Sequence, residues 1–408
     1  MQAVDVVVVG AGPAGVAASI TLVRAGRSVA LLDKAMFPRD KCCGDGLTTA
    51  ALRELEALGF VPDDLKTWQH VDDVIVRSPS GREVTFPLPR GRGVYASVVT
   101  REELDAELVA LARRSGVTVL EGCGFEAIEV EDDRVNTWVG GGVGAVAARY
   151  VIAADGMWSP VRKALDAVPP GYLGEWHAFR QYFGGVTGRG ARELAVWFEA
   201  DLLPGYAWSF PLPDGRANVG FGIQRGGKVA TQEMKALWPD LLQRPFVREF
   251  LGPDAEPLAP HKAWPIPARI ESASLTAGGG RVLFVGDAAM ATDPMTGEGI
   301  GQALLTGRLA AESIVQSGQD GAGAVYDRAA RRELEADAGM SRLLIRALKH
   351  RKGARAAVRV AGLTGWTRKS FARWLFEDYP RSLVTTPGRW REHSMRGDGA
   401  FAGRRFGS

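Results

Sequence analysis

The stretch at residues 4–33 constrains this chain more than any other. It reads Val4-Asp5-Val6-Val7-Val8-Val9, then Gly10-Ala11-Gly12-Pro13-Ala14-Gly15, then an alanine-rich run to Gly26, then Ser28-Val29-Ala30-Leu31-Leu32-Asp33. A short β-branched run bounded by glycine predicts a buried strand, and residues 17–25, free of internal Gly and Pro, predict a helix. In such a strand–turn–helix–strand unit, Gly10 permits the tight turn, Gly12 lets the backbone approach a pyrophosphate, and Gly15 lets the helix pack closely on the strand. The helix N-terminus then turns free N–H groups and a partial positive charge toward the phosphates. Asp33, roughly 20 residues past the glycines, is placed to accept hydrogen bonds from a ribose. The expectation is a bound dinucleotide; these residues leave FAD and NAD(P) both open.

At 408 residues the chain exceeds the usual size of a single core, so two packed regions and an appendage are expected. No run of 18 or more apolar residues occurs, so no membrane-spanning helix is expected. No Lys or Arg precedes the valine run and Asp5 interrupts it, which argues against a signal peptide and for a cytoplasmic protein. The three cysteines, with Cys42 and Cys43 adjacent, offer neither a disulfide framework nor a zinc spacing, and no metal site is expected. His70, His177, His261, His350 and His393 are too scattered in sequence to suggest a cluster. The formal charge of +3 hides an asymmetry: from Arg342 onward there are 16 Lys and Arg against four Asp and Glu. Such an end attracts polyanions or an anionic membrane surface, the plainer alternative being a solvated helical face.

After Asp33 the sequence Phe37-Pro38-Arg39-Asp40-Lys41-Cys42-Cys43-Gly44-Asp45-Gly46 predicts a loop that starts near the ribose and runs back along the cofactor. Residues 48–58 predict a helix. Residues 71–99 alternate apolar and polar around Ser78-Pro79-Ser80-Gly81, a hairpin pattern. Residues 101–115 predict a helix with Thr100 as N-cap and Glu103 completing a capping box. Strands are expected at 117–120, 125–130 and 150–154, the last ending in Asp155-Gly156. From 178 to 225 the period becomes strand-like, with Pro213-Asp214-Gly215 as a hairpin turn. A helix at 232–251 and a Pro-rich segment at 257–267 lead back out of this inserted sheet. Residues 281–289 predict another buried strand opening into Gly286-Asp287, followed by a helix at 300–317. Beyond 322 the pattern is mostly helical, with a Gly- and Arg-rich tail from Gly397 expected to be poorly ordered.

Three strand ends thus carry Gly or Asp-Gly turns, and one dinucleotide needs only one phosphate cradle. The pattern resembles the flavoprotein monooxygenase and reductase superfamily built on the para-hydroxybenzoate hydroxylase type of fold, over residues 4–315. Pro204-Gly205-Tyr206-Ala207-Trp208-Ser209-Phe210-Pro211 looks like the Y-x-W-x-F-P signature of geranylgeranyl reductases. Lys41-Cys42-Cys43-Gly44 looks like their flavin-proximal cysteine loop, and Asp293-Pro294-Met295-Thr296-Gly297-Glu298-Gly299-Ile300-Gly301 like their flavin-facing turn. The resemblance is closest to bacterial members that reduce prenyl chains of quinones or lipids. Cys43-Gly44-Asp45-Gly46 departs from the commonest Cys-Gly-Gly form and leaves the substrate open.

The resemblance implies an α/β fold: a Rossmann-like, GR2-type FAD-binding domain (residues 1–70, 100–176 and 271–320), an inserted antiparallel β-sheet substrate domain (71–99 and 177–270), and a C-terminal helical region with a basic tail (321–408). It implies FAD as the cofactor, with Asp155 near the pyrophosphate, Asp287 on the ribityl chain and Arg101 touching the cofactor. The cofactor-binding set it implies is Gly10, Gly12, Ala14, Gly15, Asp33, Lys34, Lys41, Cys43, Gly44, Arg101, Asp155, Gly156, Gly286, Asp287, Pro294, Gly297, Gly299 and Ile300. NAD(P)H or a reduced redox protein is the expected electron donor.

Tyr206, Trp208 and Phe210 fall on alternate residues of one expected strand and so share a face. Such a face could line a tunnel for a long apolar chain, or simply build the sheet's core. The expected activity is FAD-dependent reduction of carbon–carbon double bonds in an isoprenoid chain, on a prenylated quinone, prenyl diphosphate or prenyl lipid. Cys43, Tyr206 and Trp208 are the candidate catalytic residues, for proton delivery or substrate positioning. The first rival is an FAD-dependent monooxygenase of an aromatic or secondary-metabolite substrate. A halogenase, whose loop carries Gly-Glu-Ser, and a flavin-binding redox sensor are further alternatives. The expected partner is a small molecule or lipid with a long apolar chain, not nucleic acid, with peripheral association at the inner face of the membrane through the basic end.

Overall fold

The computed structural model describes residues 2–90, 92–317, 321–383, 386 and 397–403. His393 and the last part of the expected tail, 404–408, lie outside the described residues.

The chain opens with strand β1 (Gln2–Val9), helix α1 (Pro13–Arg24) and strand β2 (Val29–Asp33). Val6 to Val9 and the small residues of α1 are buried, so strand and helix meet at short range. A two-residue strand β3 (Gly46–Leu47) follows the cysteine loop, then helix α2 (Thr49–Ala57), whose N-cap Thr48 accepts from Ala51 N. Next come β4 (Gln69–His70), the hairpin β5 (Asp73–Arg77) and β6 (Glu83–Pro87), and β7 (Ser97–Val98). Helix α3 (Arg101–Arg114) leads to β8 (Thr118–Glu121), β9 (Phe125–Val130), β10 (Val135–Val139) and the long β11 (Gly144–Ala153).

After the short helix α4 (Pro160–Ala164) the inserted sheet is built from β12 (Trp176–Gly184), β13 (Leu194–Trp197), β14 (Tyr206–Leu212) and β15 (Arg216–Gln224). Helices α5 (Met234–Gln243) and α6 (Pro245–Leu251) precede β16 (Glu256–Pro257), β17 (Lys262–Ile266), β18 (Thr276–Ala277) and β19 (Val282–Phe284). Four helices close the chain: α7 (Ile300–Gln316), α8 (Ala322–Leu348), α9 (Arg351–Ala361) and α10 (Gly365–Leu375).

One eight-stranded sheet runs β18-β19-β11-β1-β2-β8, with β10 on β11 and β9 on β10. Its central pairs, β11 with β1, β1 with β2 and β2 with β8, are parallel, which requires crossover connections and brings the C-terminal strand ends to one edge. Helices α1 and α7 cover the sheet. They pack so closely that a Cβ at Gly307 would lie 2.1 Å from the Ala14 carbonyl oxygen. The second eight-stranded sheet runs β16-β12-β15-β14-β13-β5-β6, with β17 on β12. All its pairs are antiparallel except β13 with β5, because β5 reaches the sheet from an earlier insertion instead of through a hairpin. A small third sheet, β3-β7-β4, joins the cysteine loop to the rest.

Four local expectations change. The capping box at α3 does not form: Glu103 Oε2 instead accepts from Thr67 N at 2.9 Å and Thr67 Oγ1 at 2.8 Å, a tertiary donor pair that outcompetes the local one. The helix expected over 232–251 divides at Arg244, whose ψ of 138° is extended, because Pro245 disfavours the helical region for the residue before it. The Pro-rich segment does not merely exit the sheet; β16 and β17 extend it along β12. The tail is ordered over 397–403: Ala400 bridges Val94 with N···O distances of 2.8 and 3.0 Å, and Phe401 is 1% exposed. One buried phenylalanine anchors a segment whose Gly and Arg content suggested none.

Candidate active site

The three glycine-bearing strand ends converge. Gly10 has φ of 105°, and a Cβ there would lie 2.3 Å from the Ala154 carbonyl oxygen, so only glycine lets β1 end against β11. A Cβ on Gly15 would lie 1.8 Å from the Gly10 carbonyl oxygen. Gly12 differs, since the nearest atom to its Cβ would be Arg39 Nη2 at 3.9 Å. The turn is therefore tight at both ends and open in the middle. Asp33 splints it, with Oδ2 accepting from Ala11 N and Oδ1 from Ala35 N, both at 2.8 Å.

A cavity of about 930 Å³ begins at this turn. Its wall includes every cofactor-binding position expected from the sequence except Gly15, which packs the helix instead, and it includes Cys43, Tyr206 and Trp208 as well. Asp155 and Gly156 are also in the wall, with the Asp155 Cα 3.1 Å from where a Cβ on Gly10 would lie. Asp155 Oδ2 accepts from Val161 N at 3.1 Å, while its buried Oδ1 has no partner, and burial pushes its carboxyl up to about 6. Lys41 Nζ lies 3.3 Å from Asp287 Oδ2, tying the cysteine loop to the turn after β19. Arg101 is held by Asp105 through Nε at 2.9 Å and Nη2 at 2.7 Å. An open glycine, an unpartnered buried oxygen and convergent cations make a cradle that fits the pyrophosphate and sugars of FAD.

Beyond the cradle the cavity becomes aromatic. Tyr206, Trp208 and Phe210 follow one another along β14 with ring centroids 6.1 and 6.3 Å apart. Glycines make room for them. Gly220 pairs with Trp208 across the sheet, and a Cβ there would lie 2.4 Å from the indole. Gly44 and Gly46 would bring a Cβ to 3.3 and 3.0 Å from the Phe210 ring. Trp208 Nε1 donates to Asn218 Oδ1 at 3.1 Å, and Asn218 Nδ2 donates to the Cys43 carbonyl at 2.8 Å and to Asp45 Oδ2 at 2.7 Å. The aromatic strand and the cysteine loop are thereby one hydrogen-bonded unit.

Asp45 lines the same cavity, a position that no pattern in the sequence announces as part of the site. Its φ of 67° is the left-handed conformation that glycine takes without strain and Asp tolerates, which accounts for the departure from Cys-Gly-Gly. The carboxyl is fully buried, accepts from Tyr182 Oη at 2.6 Å, and leaves Oδ1 without a partner. Burial pushes it up to about 6. Burial also raises the Cys43 thiol and pushes Cys42 to about 12, so neither is a thiolate at neutral pH. Also unforeseen is the acidic group behind the turn at 293–301. Burial first, and Glu377 second, hold the Glu298 carboxyl well above the usual carboxylate range. Arg381, 85 residues from Thr296, donates to its Oγ1 at 3.2 Å, and no local sequence pattern signals that contact.

A family model described as an FAD binding domain matches residues 3–305. The chain is 36% identical over 334 residues to a menaquinone reductase of Mycobacterium tuberculosis, covering 76% of each chain. It is 34% identical over 321 residues to digeranylgeranylglycerophospholipid reductase 2 of Methanopyrus kandleri, covering 77% of each. Its fold matches a geranylgeranyl bacteriochlorophyll reductase-like protein of Thermoplasma acidophilum with a TM-score of 0.77 at 20% identity, over 96% of this chain and 100% of that one. With a cradle that fits FAD and these relatives along most of its length, the chain belongs to the geranylgeranyl reductase family of FAD-dependent oxidoreductases.

Proposed function

We propose that this protein saturates carbon–carbon double bonds of an isoprenoid chain carried by a prenylated quinone, a prenyl diphosphate or a prenyl lipid. The observation that carries the reading is a single apolar cavity that joins the glycine cradle to the wall of Tyr206, Trp208 and Phe210. A prenyl chain sheds its hydration along its whole length in such a space. The names of the menaquinone and digeranylgeranylglycerophospholipid reductases support the same substrate class.

In this reading Gly12 leaves the pyrophosphate its space and Asp155-Gly156 approaches it, Asp33 binds a ribose, and Asp287 with Lys41 the ribityl chain. Ala14, Lys34, Cys43, Gly44, Arg101, Gly286, Pro294, Gly297, Gly299 and Ile300 complete the cofactor's surroundings. Reduced FAD, when bound, supplies the hydride that adds to one alkene carbon, and a proton adds to the other. An unactivated alkene offers nothing to polarise, so alignment by Trp208 and Tyr206 carries much of the catalysis. Cys43 stays a thiol because it is buried, and so holds a proton where the loop meets the aromatic wall. The reducing equivalents come from an external donor, NAD(P)H or a reduced redox protein. The basic C-terminal helices support peripheral association with a membrane; no helix among the described residues is long and apolar enough to cross one.

The test is a single-turnover reaction without oxygen. Reduced enzyme should convert a prenylated quinone or prenyl lipid to a product heavier by two hydrogens per bond reduced. A product formed only in air, and carrying an added oxygen atom, makes the protein a monooxygenase and ends the reductase reading.

A further inference from the structure

Residues 342–376 carry ten Lys and Arg and no Asp or Glu. Two of the ten are engaged elsewhere, Arg342 with Glu271 and Arg373 with Asp378. The other eight, from Arg346 to Lys369, are exposed, and none makes an ion pair among the described residues. Four large apolar side chains stand uncovered among them: Leu343 and Val360 are 59% exposed, Leu363 is 61% and Trp366 is 75%. Leu363 and Trp366 flank the turn between α9 and α10. A solvated basic face does not require apolar groups of this size.

The inner faces of the same helices line the cavity, through Leu344 and Leu348 of α8, Val358 of α9, and Phe371 and Leu375 of α10. Ala347 and Ala357 both line the cavity and are exposed, so it reaches the surface between α8 and α9. The same helices that border this mouth carry the eight exposed cations and the uncovered apolar side chains. Nucleic acid would satisfy the cations and leave the leucines and the tryptophan in water. An anionic bilayer satisfies both, because phosphates meet the cations while the apolar groups enter the headgroup and acyl boundary.

We propose that the last turn of α8, α9 and the start of α10 dock on an anionic lipid bilayer, with Leu363 and Trp366 inserted, and present the mouth at Ala347 and Ala357 to the chain of a membrane lipid. The docking stands on the surface alone; what passes through the mouth rests on the isoprenoid reading above.

Full-length FAD-loaded protein is floated with vesicles of phosphatidylcholine alone, or of phosphatidylcholine with phosphatidylglycerol. Binding should require phosphatidylglycerol and weaken at high salt, since exposed charge is screened over about 8 Å at physiological ionic strength. Leu363→Gln with Trp366→Gln should weaken binding by about tenfold or more, given the apolar area that leaves the bilayer. Lys352→Glu, Arg355→Glu and Arg359→Glu together should abolish the preference for phosphatidylglycerol. None of these side chains lines the cavity, so both variants should keep their FAD and their rate on detergent-dispersed substrate while losing rate on vesicle-embedded substrate. Equal binding by wild type and the Leu363/Trp366 variant, or equal binding to neutral and anionic vesicles, overturns the docking. An unchanged rate on embedded substrate overturns delivery through the mouth. If binding depends on Leu363 and Trp366 but no prenyl substrate is reduced in either form, the docking holds and the substrate reading fails.

Discussion

Glycines that look alike in the sequence do different physical work in this site. A side chain at Gly12 meets open cavity, whereas one at Gly15 meets a carbonyl oxygen at 1.8 Å. Gly12→Val should therefore fold and lose FAD, because its branches occupy the space the pyrophosphate needs. Gly15→Ala should cost roughly 3 kcal/mol or more of stability through forced backbone shifts. Flavin absorbance of the purified variants and their thermal melts separate the two, and full flavin in folded Gly12→Val removes the cradle assignment. Asp45 shows the same specificity in its titration. Its folded value, about 6, lies above the usual carboxylate value, so the folded state holds the extra proton. That contribution is fully present below the unfolded value and is lost as pH rises through about 6. Asp45→Asn should remove this slope and improve relative to wild type by on the order of 2 kcal/mol between pH 4 and pH 8. Urea unfolding at the two pH values measures it. A difference between variant and wild type that is the same at both would mean that Asp45 does not titrate as its burial requires.

Among the elements, the segment after α10 is the one whose role its own sequence least announces. Arg381, 1% exposed by its side chain, lies 3.3 Å from Asp293 and 3.1 Å from Glu377, and stacks on Trp374 at 5.1 Å. Asp293 in turn fixes the turn at 293–301, accepting from Thr296 N at 2.8 Å and Met295 N at 3.0 Å, and from Ser341 of α8 at 2.8 Å. Glu377 accepts from Gln302 of α7 at 3.1 Å. One buried cation therefore holds α7, α8 and the turn together. Arg381→Met would leave buried carboxylates uncompensated, which typically costs about 3–5 kcal/mol. The loss should shrink toward pH 5, where Glu377, already held above the usual carboxylate value by burial, takes up a proton more readily once the cation is gone, and bound flavin should be released more easily at pH 8. Melting and flavin retention at the two pH values test this, and a pH-independent loss would reduce Arg381 to a packing role.

At the scale of the whole molecule, one cavity runs from the cradle at β1, β11 and β19 past β14 to the helices α8 to α10. Its wall draws on residues from Val9 to Phe376, so chemistry and substrate access depend on nearly the full length of the chain. The sequence by itself determined the Rossmann-like unit, because a buried β-branched strand, a glycine turn and a small-residue helix are local patterns with local causes. It also determined the order of the three glycine-bearing strand ends and the shared face of Tyr206, Trp208 and Phe210, which follows from the two-residue period of a strand. The tertiary structure decided what those patterns face. Gly220, Gly44 and Gly46 give the aromatics their space only after β15 and the cysteine loop pack against β14. The buried Asp45, the Glu298–Glu377–Arg381 group, the anchoring Phe401 and the parallel β13–β5 pair all join segments far apart in the chain. Burial and pairing between distant segments leave no periodic trace in either one, because the free energy that fixes them is gained only when both are in place.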